Sequence, residues 1–164
     1  LATATAEGVP SVRMVLLKDA DTQGFVFYTN LGSQKVVELT TNPACSLCFY
    51  WKSIGRQVRI EGRARPVDEA EADVYFETRP WEARIGAWAS KQSQPLTGPL
   101  ELEKAVAKQT LRFAVGKIPR PDFWSGFRVV PTRFEFWRER PFRLHERIVY
   151  TQEGGTWNAE GMYP

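Results

Sequence analysis

The feature that most limits what this chain can fold into is a succession of short, apolar, β-rich segments separated by turn-forming residues. Arg13 to Lys18 and Phe25 to Asn30 flank the stretch Asp19 to Gly24, and Cys45 to Trp51 and Gln57 to Arg65 flank a turn at Ser53 to Gly55. Val, Ile, Phe, Tyr and Trp suit a pleated, half-buried surface, while Gly, Asp, Asn and Ser supply the reversals. Both pairs read as antiparallel hairpins. The last third returns to the same pattern, with strands predicted at Phe127 to Val130, Arg133 to Arg138 and Arg143 to Tyr150, and a short one near Trp157 after the Gly154-Gly155 turn.

Helices lie between these strands. Ser33 is placed to cap a short helix through Leu39, which Asn42 and Pro43 stop. Asp68 with Glu71 has capping-box spacing for a helix to about Arg79, Pro80 can start a second, and Leu100 to Ala114 gives a third. No repeat or linker divides the chain, so residues 1 to 164 read as one domain, an antiparallel β-barrel decorated by helices. With 43% hydrophobic residues and 13% aromatics it can bury a sizeable core. The first residue is Leu1 and not Met, so a native N-terminal segment is expected to be missing.

Charge and cysteine usage exclude several function classes. The net charge of +3 comes from 22 Lys and Arg against 19 Asp and Glu, scattered along the chain, whereas a nucleic-acid surface usually concentrates them. No nucleic-acid partner is expected. Uncharged runs such as Leu39 to Trp51 are too short and polar to span a bilayer, and a cytoplasmic protein without a membrane partner is expected. Cys45 and Cys48, within one strand, would point to opposite faces, and too few other ligands accompany them for zinc. No metal site is expected.

The segment richest in chemistry is Phe134-Glu135-Phe136-Trp137 followed by Arg143-Leu144-His145-Glu146-Arg147. If residues 143 to 149 form a strand, the period of two sets Arg143, His145 and Arg147 on one face, with the chain's only histidine between two guanidinium forks. Such a row is a solvated sheet face or the wall of an anion site. The string itself, EFW and then RLHER, resembles the C-terminal signature of the pyridoxine (pyridoxamine) 5′-phosphate oxidase family, and the resemblance covers essentially the whole chain.

That resemblance implies an FMN-binding split β-barrel, an antiparallel Greek-key-type barrel. It also implies a homodimer with FMN held at the subunit interface. The implied reaction is oxidation of pyridoxine 5′-phosphate or pyridoxamine 5′-phosphate to pyridoxal 5′-phosphate, with oxygen as acceptor and hydrogen peroxide as product. The segment Arg13, Met14, Val15, Leu16, Leu17, Lys18 matches the family stretch that lies along the flavin. On strict alternation Arg13 and Lys18 face opposite ways, so both reach one site only if the strand bends or ends early. Tyr28, Thr29, Ser33 and Lys35 match residues around the FMN phosphate, where Gln34 replaces the family's usual arginine. Gln57, Trp137 and Arg147 match positions lining the flavin, and Gln92 and Ser93 match a contribution from the second subunit.

For the substrate phosphate the resemblance implies Lys18, Tyr75 and Arg79, with Ala83 in place of a serine, and it sets Arg143 and His145 at the reacting end. Tyr75 and Arg79, four apart, would share a helix face. The residues leave open a related split-barrel oxidase acting on another aromatic substrate, as in phenazine biosynthesis, and a flavin carrier that catalyses nothing.

Overall fold

The computed structural model describes residues 1–164. Nine strands form the scaffold: β1 (Ala2–Ala4), β2 (Pro10–Val12), β3 (Asp19–Asp21), β4 (Gly24–Asn30), β5 (Ala44–Trp51), β6 (Arg56–Pro66), β7 (Trp124–Arg138), β8 (Glu146–Glu153) and β9 (Thr156–Met162). Four helices accompany them: α1 (Gln34–Thr41), α2 (Glu69–Thr78), α3 (Trp81–Ala89) and α4 (Glu101–Arg112). All pairings are antiparallel, in the order β2-β1-β5-β6-β7-β4-β3, with β8 on β7 and β9 on β8. None of the helices is long and apolar enough to cross a membrane.

The long strand β7 organises the whole. It pairs with β6 along its length, with β4 through Trp124 to Val129, and with β8 through Arg133 to Arg138. Its first half therefore belongs to the barrel and its second half to the β8–β9 extension. The sequence predicts two strands interrupted at Pro131 and Thr132; the structure runs through them by a β-bulge. Glu61 pairs with Arg133 and Gly62 with Pro131, leaving Thr132 as the extra residue. A bulge is one of the few places in a sheet that tolerates proline. A methyl group on Gly62 would lie 2.2 Å from the Val130 carbonyl oxygen. Gly62→Ala is therefore expected to lower stability by about 1–3 kcal/mol, seen as an earlier urea midpoint.

Inside the barrel, Phe27, Val36, Leu39, Leu47, Ile60, Phe127 and Val129 pack together, and Phe76, Ile85, Phe113, Ile118 and Trp124 form a second cluster with the helices. Helix α1 supplies Val36 and Leu39 to the barrel, which fixes the direction of its N-terminus. Cys45 is buried and Cys48 exposed, both free, as their odd spacing requires.

Three local expectations are corrected. Arg13 to Lys18 is not a strand, because its ends are tied to opposite sheet edges: the Arg13 amide donates to Leu1 O at 3.1 Å and the Lys18 amide to Val26 O at 2.9 Å. A segment that crosses from one edge to the other cannot pair along its length. The final RLHER string does not open a strand either, since β8 starts at Glu146. Pro141 begins a single 3-10 turn, and Phe142 and Arg143 take left-handed φ values of 60° and 62°, which end extended pairing there. Finally, Asp68 caps α2 by position but makes no side-chain capping bond, and Glu71 instead accepts from Arg128 Nη2 at 3.1 Å.

Candidate active site

A cleft of about 690 Å³ opens between β2 and its continuation, the end of β4, the N-terminus of α1 and one face of α3. At its α1 end Ser33 is fully buried, yet its hydroxyl leaves the helix amides uncapped and accepts from Lys35 Nζ at 3.0 Å. The same ammonium donates to Thr29 Oγ1 and Gln92 Oε1, both at 3.1 Å. The Gln34 amide donates to Ser93 Oγ at 3.2 Å. Burial, and then repulsion from Arg13, lower the Lys35 pKa, with Glu38 opposing. A buried ammonium held by neutral oxygens beside a helix N-terminus suits a phosphate.

Arg13 enters this end from β2. Its guanidinium donates to Thr3 and Ser11 and pairs with Glu38 at 3.3 Å. Glu38 is 4% exposed and also accepts from Ser11 and Gln34. The Thr3 hydroxyl bond, followed by the other donors around it, pulls the Glu38 pKa from the ordinary 4.5 to about 2. Because this pKa is depressed in the folded state, the stabilisation is complete above about pH 4.5 and fades as pH falls toward 2. Glu38→Gln is thus expected to flatten the acid limb of a stability-against-pH curve in that window.

The other end of the cleft is aromatic and cationic. Tyr75 stacks on Tyr28 at 3.9 Å, Tyr28 on Trp124 at 5.3 Å, and the Arg79 guanidinium lies 4.6 Å over Trp124. Gly126 makes this possible, since a methyl group there would sit 2.7 Å from the Tyr28 ring. Arg79 Nη1 is buried without a partner, and burial lowers the Arg79 pKa. An orphaned buried donor of fixed charge calls for an anion. Lys18 Nζ stands 5.9 Å from the Tyr75 ring, and Ala83, Gly86 and Ala87 of α3 leave the wall free of bulk. Arg79 follows the last turn of α2 in extended conformation, so it meets Tyr75 through the turn and not along a helix face.

The irregular path of residues 13 to 18 thus brings Arg13 to one end and Lys18 to the other. Met14 and Val15 line the cleft between them; Leu16 is exposed, and Leu17 lines a separate apolar crevice. Gln92 and Ser93 hydrogen-bond Thr29, Lys35 and Gln34 of their own chain, at the phosphate-like end of this cleft.

Gln57, Trp137 and Arg147 are direct cross-strand neighbours on β6, β7 and β8. Gln57 and Trp137 line a second cleft, of about 460 Å³, which shares no residue with the first. The His145 ring is 4.7 Å from Trp137, and its Nδ1 accepts from the Arg140 amide at 3.3 Å. Arg147 Nε donates to Glu135 at 3.0 Å, and that carboxylate is only 2% exposed. Arg143 lies in the left-handed turn, exposed, so the predicted row of Arg143, His145 and Arg147 reduces to His145 and Arg147 flanking Trp137.

Thr3, Ser11, Glu38, Trp124 and Glu135 were not foreseen. One signal was available for Glu38: it falls beside Leu39 on the face of α1 that Val36 also buries. A carboxylate in such a row must find donors.

Residues 1–112 match the family model described as pyridoxamine 5′-phosphate oxidase, and residues 124–164 match that described as pyridoxine 5′-phosphate oxidase C-terminal dimerisation region. Pyridoxine/pyridoxamine 5′-phosphate oxidases of Rhodospirillum rubrum and Maricaulis maris are 58% and 56% identical, over all of this chain and 84% and 75% of those proteins. The crystal structure of PhzG from Burkholderia lata 383, in complex with tetrahydrophenazine-1-carboxylic acid, superposes with a TM-score of 0.93 at 34% identity, covering 99% of this chain and 80% of that one. A pyridoxamine 5′-phosphate oxidase-related, FMN-binding protein from Nostoc punctiforme shares the fold, with a TM-score of 0.78 at 17% identity over 99% and 86% of the two chains. Fold and family match together define a split-barrel, flavin-dependent oxidase that works as a homodimer. Within that class, the chain belongs to the pyridoxine/pyridoxamine 5′-phosphate oxidase family.

Proposed function

We propose that this protein oxidises pyridoxine 5′-phosphate or pyridoxamine 5′-phosphate to pyridoxal 5′-phosphate, with FMN as cofactor, oxygen as electron acceptor and hydrogen peroxide as product, the amine substrate also consuming water and releasing ammonia. The observation that carries the reading is the unpartnered Arg79 guanidinium, buried against Trp124 beside Tyr75 and Lys18. It is a phosphate grip next to an aromatic wall.

The donor set fits FMN at the other end. Lys35, Arg13, the hydroxyl of Ser93 and the start of α1 hold the phosphate, with Met14 and Val15 along the cofactor. Bound FMN supplies the two-electron acceptor that oxygen then regenerates. Gln57, Trp137 and Arg147 suit a flavin ring through an amide that both donates and accepts, an aromatic plane and a guanidinium. That the two clefts share no residue, and that Trp137 and Arg147 fall in the matched dimerisation region, supports a complete site that combines the first cleft of one subunit with the second of its partner. The flavin then lies at the interface.

The chain's own residues bind, orient and exclude water. Lys18, Tyr75 and Arg79 fix the substrate phosphate, while Arg143 and His145 of the other subunit orient the reacting end and stabilise its charge. At Ala83 the site lacks a hydroxyl. Ala83→Ser is expected to lower KM for either phosphorylated vitamer severalfold, the value of one neutral hydrogen bond of about 0.5–1.5 kcal/mol, with kcat little changed.

A second reading, oxidation of another aromatic substrate of the phenazine type, is favoured by the PhzG similarity and by Ala83. Product analysis separates them. The FMN-loaded protein should form pyridoxal 5′-phosphate and peroxide in equal amounts from pyridoxine 5′-phosphate. Absence of both with either vitamer would exclude the first reading, and a bound flavin that neither vitamer reduces would indicate another substrate or a carrier.

A further inference from the structure

Glu38 is the one acid at the phosphate end of the first cleft, and four neighbours converge on it. Its Oε1 accepts from Ser11 at 2.8 Å and from Gln34 Nε2 at 2.8 Å; its Oε2 accepts from Ser11 at 2.7 Å, from Arg13 Nη2 at 3.3 Å and from Thr3. Both terminal nitrogens of Arg13 are drawn into this group, Nη1 to Thr3 and Nη2 to Ser11 and Glu38. The Gln34 side-chain amide donates along α1 to the carboxylate. Two cations, Arg13 and Lys35, line this end of the cleft with one buried anion paired to Arg13, so the end carries one net positive charge where two would otherwise act.

We infer that Glu38 sets how tightly this chain holds the FMN phosphate, by engaging the Arg13 guanidinium and offsetting its charge. This rests on the placement of FMN proposed above. Glu38 is a positioning residue: it does not line the cleft, and acts through Arg13. It weakens the cofactor site in exchange for a fixed Arg13 and a tie between β1, β2 and α1. Charge at this range from an anion site, partly shielded from water, is worth about a factor of ten in affinity.

The test is a titration of the full-length apoprotein with FMN and, separately, with riboflavin, which lacks the phosphate, following flavin fluorescence. Glu38→Gln keeps the shape and removes the charge. It should lower Kd for FMN about five- to tenfold while Kd for riboflavin moves less than about twofold. Glu38→Asp, which keeps the charge but withdraws it from Arg13 by one methylene, should give a gain of the same sign and smaller size, and decides the matter if the glutamine variant does not fold. Unchanged or weaker FMN binding, or an equal gain for riboflavin, would overturn the inference. A purely structural Glu38 gives that result, with a lower melting temperature and an unchanged ratio of the two dissociation constants. Wild-type protein that binds riboflavin as tightly as FMN would remove the phosphate assignment itself, and the inference with it.

Discussion

Arg79→Ala is expected to raise KM for pyridoxine 5′-phosphate by about ten- to a hundredfold, the loss of a hydrogen bond to a charged group at about 1.5–3 kcal/mol. Arg79 sits at the phosphate end, and the reacting end is assigned to Arg143 and His145, so kcat should change far less than KM. Stability should not fall with affinity. The half-buried guanidinium has one buried nitrogen without a partner, and removing that cost offsets the loss of its contact with Trp124. A melting temperature close to that of the wild type is the expected companion result. Arg79→Lys should rescue only part of the affinity, because a point charge does not reproduce the planar fork that lies over Trp124. Steady-state kinetics with both vitamers, read beside a thermal melt, checks all three statements.

Mixing two crippled variants should restore activity. Arg79→Ala damages the first cleft, and Arg143→Ala with His145→Ala damages the segment beside the second. If each active site joins the first cleft of one subunit to the second of the other, a heterodimer holds one doubly damaged site and one intact site. After unfolding and refolding together in equal amounts, the mixture should reach about a quarter of wild-type activity at substrate well below KM, against a few per cent for either variant alone. A mixture no more active than the average of its parts would place both clefts' functions within one chain. Exchange of subunits can be followed independently with a size tag on one variant.

Much of the scaffold was legible because strands with one buried face carry their own period. Phe25 to Asn30, Cys45 to Trp51 and Gln57 to Arg65 alternate or run apolar as the barrel demands, and they appear as β4, β5 and most of β6. The start of α1 after Ser33 and of α3 after Pro80 also followed from local chemistry. What escaped depends on partners distant in sequence. Residues 13 to 18 have strand composition, yet no strand lies beside them because they bridge two edges. Pro131 reads as a strand breaker, and only the bulge opposite Glu61 and Gly62 absorbs it.

The site divides the same way. Arg13, Tyr28, Thr29, Gln34, Lys35, Arg79, Ala83, Gln92 and Ser93 do gather around one cleft. Their grouping away from Gln57, Trp137, His145 and Arg147 was not readable, because alternation states which face a side chain takes and not which cleft that face borders. The Arg143 misplacement has a local cause: two residues in left-handed conformation, Phe142 and Arg143, are not encoded by glycine or asparagine, the usual signals.

The most direct test is anaerobic. The protein is loaded with FMN, pyridoxine 5′-phosphate is added without oxygen, and the absorbance of the oxidised flavin is followed before and after air is admitted. Loss of that absorbance on adding substrate, its return in air, and pyridoxal 5′-phosphate and peroxide in the solution are the predicted results. Flavin that stays bound and oxidised in the presence of both pyridoxine 5′-phosphate and pyridoxamine 5′-phosphate would contradict the assignment.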